Sequence, residues 1–184
     1  MAGSYQKNSD YFVSVRHPGQ WHNIKDFIMP SAPEVEGVYR RIGADTWDLL
    51  NFVCRNVSYR RDKGEFWQFP KETIASRQGD CEDTSILLAS LLRNFSDAYS
   101  VLGSYKGLGH AWVSRGDGTI LETTYTQASV VPDPEDYCPY FLFNEESVIE
   151  LWPRALEQVF AVAKNEDTKF SLMAARLDKQ VATY

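Results

Sequence analysis

The sequence predicts a single α+β domain in which a buried helix packs on an antiparallel sheet. Three observations lead to this class. Helical periodicity dominates residues 33–94, strand patterns follow over residues 99–126 and around Asn144, and helical periodicity returns from Arg154. Helices and strands that are segregated along a chain are typical of α+β domains, whereas their alternation would indicate a parallel sheet. A length of 184 residues is enough for one such domain with a sizeable core.

The composition excludes several classes of protein. Its 43% hydrophobic and 14% aromatic residues are too many for a disordered chain. A formal net charge of −6, with Lys and Arg scattered, disfavours nucleic acid as a partner. No apolar run reaches the length of roughly 18 residues that a membrane-spanning helix needs. Because the first residues lack the features of a secretory signal, the chain as given is expected to be cytoplasmic, or extracytoplasmic if a leader was removed.

Residues 1–32 are predicted to form an N-terminal arm, and residues 33–184 the single domain. The arm is punctuated by prolines and contains at most one short strand, YFVSV at 11–15. The pattern then becomes helical, with Asp45 as an N-cap, and apolar residues recur at helical spacing. These residues are Trp47, Leu50, Val53, Cys54 and Val57. Cys54 is therefore interpreted as a core residue.

A second helical region includes the segment RQGDCEDTSILLASLLRNF. Pro70 predicts a short helix that stops before Gly79, where the chain turns. Asp80 is a suitable cap for a helix from about Cys81 to Asn94. The apolar residues of this helix cover most of its circumference, which is typical of a buried helix. Cys81 therefore lies in the first turn of a central helix, where free N–H groups and the helix dipole stabilise an anion.

Strand patterns follow in the second half of the chain. Three of them occupy residues 99–105, 110–115 and 119–126. The last two are joined by a glycine-containing loop at 116–118 and are expected to form an antiparallel hairpin, as part of a meander. The segments PYFLF and SVIELW, on either side of Asn144, indicate another pair of strands. A helical pattern then predicts a C-terminal helix over residues 154–182.

The length of the loop at 116–118 decides whether His110 and Glu122 share a face of this hairpin. With a two-residue turn, the two side chains would lie on opposite faces. With a three-residue loop, His110 pairs with Thr124, and His110 and Glu122 become diagonal neighbours on one face. Gly118 suits the left-handed position that such a loop requires.

Cys81, His110 and Glu122 together suggest nucleophilic catalysis. A cysteine with an unperturbed pKa near ~8.5 is mostly protonated at neutral pH, so it needs a base such as an imidazole in order to attack a carbonyl. The base in turn needs an acceptor that fixes its tautomer. The three cysteines form neither a disulfide framework nor a paired zinc signature, so at least one thiol is expected to be free. Cys138, in a proline-rich loop, is interpreted as an incidental thiol.

Two segments resemble the transglutaminase-like superfamily, particularly its microbial cysteine-peptidase-like members: WQFPKETIASRQGDCEDTSILLASLL and GHAWVSRGDGTILETTY. The resemblance covers residues 45–126 and presents its three elements in the expected order. It implies a papain-like fold with Cys81 as nucleophile, His110 as general base and acid, and Glu122 as the group that orients the imidazole. The family commonly has Asp in the third position, so Glu122 is a departure that keeps the charge and adds a methylene.

The resemblance also implies an oxyanion hole and, in some peptidase-like relatives, a calcium site. The backbone N–H of Cys81 is expected to supply one oxyanion donor. The other candidates for the oxyanion hole and the cleft are Trp67, Gln68, Gln78 and Trp112. Asp80 and Glu82 are either caps and first-turn acids of the helix or calcium ligands. The predicted chemistry requires no cofactor, and calcium is the one candidate ion.

The sequence thus predicts a cysteine-dependent hydrolase of amide or peptide bonds that acts through a thioester, with a peptide or protein as its substrate. Two alternatives stay open. A transglutaminase-type acyltransferase would use the same three residues and resolve the thioester with an amine. A non-catalytic peptide-binding domain would keep the fold without the chemistry.

Overall fold

A computed structural model describes residues 2–62 and 64–166 of the chain. The helices are α1 Pro33–Ile42, α2 Thr46–Asn56, α3 Pro70–Ser76, α4 Cys81–Leu92 and α5 155–166. The strands are β1 Gly3–Lys7, β2 Asp10–Ser14, β3 His22–Asn23, β4 Ser58–Tyr59, β5 Gln78–Gly79, β6 Ala98–Tyr105, β7 Leu108–Arg115, β8 Ile120–Leu121, β9 Tyr137–Phe143 and β10 Val148–Glu150. The predicted α+β class is confirmed, because the main helices precede a sheet that is antiparallel.

The central helix α4 is buried on nearly every side. It contacts β6 and β7 of the sheet and also α1, α2 and α3. Every residue of α4 except Glu82 is buried, as its apolar circumference predicts. The Asp80 side chain accepts a hydrogen bond from the backbone N–H of Asp83, so the helix begins at Cys81. The first residue of the most buried helix is thus the cysteine that the sequence singles out.

The main sheet has five antiparallel strands in the order β10-β9-β6-β7-β8. The pair β9 and β10 confirms the two strands expected on either side of Asn144. Leu102, Ala111 and Val113 belong to the main core with α4, whereas a smaller core contains Trp112. The other buried members of the smaller core are Val101, Val131 and Tyr137. The sheet is therefore covered on both faces near the start of β7.

The hairpin of β7 and β8 has the three-residue loop that the sequence analysis considered. Val113 lies opposite Leu121, and Gly118 has a φ of 85°. This register places His110 and Glu122 on the same face. The second strand is much shorter than the predicted one, because the chain leaves the sheet after Leu121.

Residues 2–32 form a small sheet of their own and also reach the main core. β2 pairs with both β1 and β3, and the buried side chains of this region are Val13, Val15, Ile24, Phe27 and Ile28. The Tyr11 hydroxyl donates to Glu150 at 3.0 Å. Arg16 donates to the Trp67 carbonyl at 2.7 Å and to both carboxylate oxygens of Glu72 at 2.8 Å. The N-terminal region therefore anchors the segment that leads into α3 and then α4.

The C-terminal helix α5 is described from residue 155 to residue 166. The remainder of the predicted helix over 154–182 lies outside the described residues. Within the described part of the chain, no helix has the length and apolar character that crossing a membrane requires.

A glycine in β6 supplies a test of this packing. A Cβ at Gly103 would lie 2.2 Å from the backbone carbonyl oxygen of Cys138 on β9. Gly103→Ala is therefore expected to lower the free energy of unfolding by ~1–3 kcal/mol or more. The clash is with a backbone atom, which cannot move aside as the end of a flexible side chain can. The matched control is Gly37→Ala in α1, where nothing lies within 4 Å of the added Cβ.

The control should raise the free energy of unfolding by about 0.5–1 kcal/mol, because alanine is the better residue in a helix interior. Denaturant unfolding of both variants measures the two effects. If Gly103→Ala is as stable as the unmodified protein, the close approach of β6 and β9 is wrong.

Candidate active site

Cys81 and His110 line one cavity of about 230 Å³. The cavity lies where α4 begins beside β7, and residues from the segment 59–65, from β6 and from α5 also line it. Cys81 reaches it from the start of a buried helix, and His110 from the neighbouring strand. The two residues assigned from the sequence to nucleophile and base thus border the same space.

The Cys81 thiol is buried and donates a hydrogen bond to Glu82 Oε2 at 3.0 Å. Burial, followed by the charges of Glu82 and Asp80, raises the pKa of this thiol well above its ordinary value. The backbone N–H of Ala111 acts in the opposite direction, because a donor directed at the sulfur favours the thiolate. Cys81 is therefore a protonated thiol that lies between an acid and the edge of β7.

The His110 imidazole forms a buried pair with Glu122. Nε2 of the ring lies 2.7 Å from Oε2 of the carboxylate, and the two side chains are 15% and 2% exposed. Because the carboxylate is the acceptor, Nε2 carries the proton and Nδ1 is the ring nitrogen that can take one. In the described part of the chain no hydrogen bond joins this imidazole to the Cys81 thiol, which is directed to Glu82 instead.

The Glu122 carboxylate is held by four donors. Oε1 accepts from the backbone N–H and the hydroxyl of Thr124, at 2.8 and 2.7 Å. Oε2 accepts from the Tyr137 hydroxyl at 2.8 Å as well as from His110. Burial alone would raise the pKa of Glu122, but the hydrogen bonds from His110 and Thr124 outweigh it and hold the pKa below its ordinary value.

The lowered pKa of Glu122 has a defined effect on stability. The folded chain binds a proton at this carboxylate less readily than the unfolded chain does. The charged form therefore stabilises the fold above the ordinary pKa of 4.5, and this contribution is lost as the pH falls through the lower, folded pKa.

Three aromatic rings surround the His110 imidazole. The rings of Tyr105, Trp112 and Tyr137 have centroids 5.9–6.1 Å from it. Trp112 was expected to form a wall of the cleft, but it is 2% exposed, belongs to the smaller core and does not line the cavity. It packs against the imidazole from the buried side and limits the orientations that the ring can adopt.

The residues considered as oxyanion donors lie outside the cavity. Trp67 is 1% exposed, and its indole N–H donates to Glu65 at 3.2 Å. Gln68 donates through both its backbone and its side chain to Asp83, at 2.7 and 2.6 Å. The side chain of Gln78 is exposed and likewise does not line the cavity. The donors of Trp67 and Gln68 are already paired, because these residues fix the segment before α3 onto the core and onto α4.

Three carboxylates form a cluster beside Cys81. Oxygen atoms of Asp62, Asp80 and Asp83 all lie within 4.8 Å of one another. One of them, Oδ2 of Asp62, is buried and has no hydrogen-bond partner. Burial and the surrounding carboxylates raise the pKa of Asp80. Of the two acids that the sequence analysis considered for calcium, Asp80 belongs to this cluster, whereas the carboxylate of Glu82 contacts the thiol.

Several residues of the site were not identified from the sequence. Tyr59 and Glu166 line the cavity from β4 and from α5. Partial burial and then the charge of nearby Cys81 raise the pKa of Tyr59, which agrees with a phenol close to the sulfur. Tyr137 becomes a neighbour of Glu122 only through the pairing of β6 with β9, which leaves no local signal. Thr124 did carry a signal, since a hydroxyl two residues after an acid can bond to it locally.

The fold and the cavity show an α+β domain with the arrangement that the motif predicts. A cysteine begins a buried helix, and that helix packs on an antiparallel sheet whose adjacent strand carries a histidine. The third element, a carboxylate that binds this histidine, follows directly after the next strand.

The chain matches no protein-family model and no curated protein. Solved structures similar to it include LapG from Legionella pneumophila in an EGTA-treated form, with 17% identity over 72% of this chain and 95% of that chain and a TM-score of 0.48. A calcium-bound form of the same protein gives 17% identity over 64% of this chain and 86% of that chain, with a TM-score of 0.45. A proposed cysteine protease from Cytophaga hutchinsonii gives 16% identity over 82% of this chain and 71% of that chain, with a TM-score of 0.49. Such values assign neither an activity nor a residue role to this chain.

The pairing of His110 with Glu122 predicts which imidazole tautomer is present. We expect nitrogen-15 spectra of the neutral side chain to show the Nε2–H form of His110, because the carboxylate accepts from that nitrogen. Glu122→Gln should abolish the strong preference for the Nε2–H tautomer, since an amide can either donate to Nε2 or accept from it. With three histidines in the chain, the signals can be assigned by substitution.

The matched control is Glu145→Gln, which removes a carboxylate that pairs with Arg93 and not with a histidine. It should leave the tautomer unchanged. An Nδ1–H form in the unmodified protein would contradict the geometry of the pair.

Proposed function

We propose that this chain is a cysteine-dependent hydrolase of amide or peptide bonds. Cys81 is the nucleophile, His110 the general base and acid, and Glu122 the carboxylate that orients the imidazole. One observation carries the proposal: His110, held at 2.7 Å by the buried Glu122, lines the same cavity as Cys81 at the start of α4. An imidazole that is oriented by an acid and placed beside a thiol is the arrangement that nucleophilic catalysis by cysteine requires.

The reaction proceeds in two stages. Nδ1 of His110 takes the thiol proton, and the Cys81 sulfur attacks the carbonyl carbon to give a tetrahedral intermediate. The imidazolium returns the proton to the leaving nitrogen, the C–N bond breaks, and a thioester and a free amine result. Water then attacks the thioester while His110 accepts one of its protons. Release of the carboxylic acid restores the thiol.

The thiol has to change its orientation before this can happen. In the free protein it donates to Glu82, which stabilises the protonated form. Rotation about the Cα–Cβ bond of Cys81 moves the sulfur within the cavity that His110 also lines. The backbone N–H of Ala111, which is directed at the sulfur, offers a donor to the thiolate or to the oxyanion, together with the backbone N–H of Cys81. Tyr59 also lines the cavity, and its hydroxyl would be a further donor.

Asp62 and Asp80 are the residues that would hold a calcium ion, with Asp83 beside them. Their oxygens are hard ligands that already lie close together, and the buried Oδ2 of Asp62 lacks a partner that a cation would supply. Asp83 also accepts from Gln68 and belongs to the cap of α4, so it is less free to reorient. A bound cation would neutralise part of the negative charge beside the nucleophile.

The reactivity of Cys81 tests the catalytic proposal. Because burial and the acids beside Cys81 oppose its ionisation, the labelling is done with excess calcium, which would neutralise part of their charge. With iodoacetamide near pH 6, Cys81 should then be alkylated faster than the exposed thiol of Cys138, as read by mass spectrometry. His110→Ala should slow the alkylation of Cys81 by about tenfold or more and reduce hydrolysis of a peptide substrate by ~100-fold, since general-base catalysis is lost.

Cys138→Ser is the control and should leave both rates unchanged. Labelling of Cys81 that is no faster than that of Cys138, or that does not depend on His110, would instead favour a non-catalytic peptide-binding domain. A fluorescent primary amine added to a glutamine-containing protein distinguishes the remaining alternative, because only an acyltransferase would incorporate it.

Calcium binding is tested through thermal stability. A ligand that binds only the folded state adds about 2.7 kcal/mol of stability at 100 times its dissociation constant, so excess calcium should raise the Tm above its value in EGTA. Asp62→Asn should reduce this rise. Asp48→Asn, the same change on the exposed surface of α2, should preserve it. An equal Tm in calcium and in EGTA would remove Asp62 and Asp80 as calcium ligands.

A further inference from the structure

We propose that a substrate polypeptide binds in extended form along the open edge of β7, and that the Glu166 carboxylate occupies, in the free protein, the place of a substrate carbonyl at Gly109. The inference rests on the proposed function and specifies the substrate as an extended segment of chain, such as a linker or an unfolded stretch. It also makes Glu166 a competitor that the substrate must displace.

The edge of β7 is open on the side of the cavity. β8 pairs only with Val113 and Ser114, so it does not continue to the beginning of β7. Arg115 donates its backbone N–H to Thr119 across the hairpin, and every second residue of a strand points its N–H the same way. Gly109 and Ala111 therefore direct their N–H groups away from β6 and into the space that β8 leaves free.

In the described part of the chain, neither of these N–H groups pairs with a strand on this side. Oε1 of Glu166 is the acceptor at Gly109, with an N–O distance of 2.6 Å, and the N–H of Ala111 is directed to the sulfur of Cys81, where it opposes the rise in the pKa of the thiol. The two donors are separated by two residues of a strand, or about 7 Å. Carbonyl groups on one side of an extended peptide have the same spacing of about 7 Å. A substrate whose scissile carbonyl lies at the sulfur would thus place another carbonyl at Gly109.

The position of α5 explains how a carboxylate reaches this place. Ala155 and Leu156 at the start of the helix are buried, and Phe160 stacks on Trp67 with a centroid distance of 6.1 Å. The following turns pass over the beginning of β7, where a Cβ on Gly109 would lie 3.4 Å from Val162 and 3.5 Å from Glu166. The absence of a side chain at this position lets the helix approach the strand closely.

The hydrogen bond from Gly109 to Glu166 differs in one respect from a contact that only stabilises the fold. A fold-stabilising partner for an edge N–H would usually be backbone or a buried side chain, whereas Glu166 is part of the cavity wall and only partly buried. Val159 and Ala163 line the same wall, which gives a bound peptide modest apolar contact beside its backbone hydrogen bonds. Backbone pairing with few side-chain contacts predicts broad tolerance of substrate sequence near the scissile bond.

The inference is tested with three reagents that all alkylate the Cys81 thiol. Iodoacetamide has no peptide backbone. The N-acetyl-trialanyl chloromethyl ketone extends on the acyl side of the sulfur, and bromoacetyl-trialanyl amide extends on the leaving-group side. In Glu166→Ala, we expect one of the two extended reagents to alkylate Cys81 roughly 5-fold faster than in the unmodified protein, because a competing hydrogen bond of about 1 kcal/mol is removed. The rate with iodoacetamide should not change. The extended reagent whose alkylation rate increases identifies the side of the substrate that pairs with β7.

Two variants control for effects on the helix. Glu157→Ala removes an exposed carboxylate of α5 that pairs with Arg154 and should change none of the three rates. Glu166→Gln keeps an acceptor oxygen without the charge and should give an intermediate gain. Hydrogen exchange at the Gly109 amide should accelerate in Glu166→Ala and slow again in the peptidyl adduct.

The inference is overturned if neither extended reagent alkylates Cys81 faster in Glu166→Ala than in the unmodified protein. It is also overturned if all three reagents react faster by the same factor, since this would mean a general opening of the cavity. Both results are separate from failure of the proposed function. That failure would appear as alkylation by iodoacetamide that does not depend on His110, whatever the effect of Glu166.

Discussion

The burial of α4 on nearly every side is the constraint on which the candidate site depends. A helix without an exposed face can present a reactive group only at its ends, and Cys81 is the first residue of this one. Polar side chains inside the interface fix the helix against its neighbours: Thr84 bonds to Thr123 at 2.8 Å, and Ser85 to Ser100 at 2.9 Å. Because unpaired buried hydroxyls are costly, these contacts favour one register of the helix on the sheet. The position of the sulfur beside β7 therefore follows from core packing.

The carboxylates near the cavity have opposite environments on its two sides. Glu122 is buried with four donors, which keep its charge and its orientation. Burial and then the charges of neighbouring acids raise the pKa of Asp62, of Asp80 and of the neighbouring Cys81. Negative charge is thus stabilised where it orients the imidazole and opposed at the sulfur of Cys81. A site of this kind would be controlled by whatever neutralises the acids next to the sulfur.

The features that could be predicted from the sequence are those with local causes. Asp80 as a cap, Pro70 at the start of α3 and the three-residue hairpin loop ending at Gly118 each depend on a few neighbouring residues. The features that were missed depend on contacts between distant segments. Tyr137 reaches Glu122 through strand pairing, Asp62 joins Asp80 from a loop, and the predicted arm proved to include strands whose partners no single segment specifies. Gln68 was a candidate oxyanion donor from its place in the sequence, but its side-chain amide already donates to Asp83 of α4.

The presence of a glutamate rather than an aspartate at position 122 has a structural reason in the hairpin. β8 ends at Leu121, so the acid lies just beyond the last paired residue, where the chain already turns away from β7. The extra methylene lets the carboxylate extend back to His110 while the backbone N–H and the hydroxyl of Thr124 hold its other oxygen. A shorter side chain at this position would have to give up either the imidazole or Thr124. The early end of β8 also leaves the edge of β7 free, so one local departure from regular pairing accounts both for the longer acid and for the open strand edge beside the sulfur.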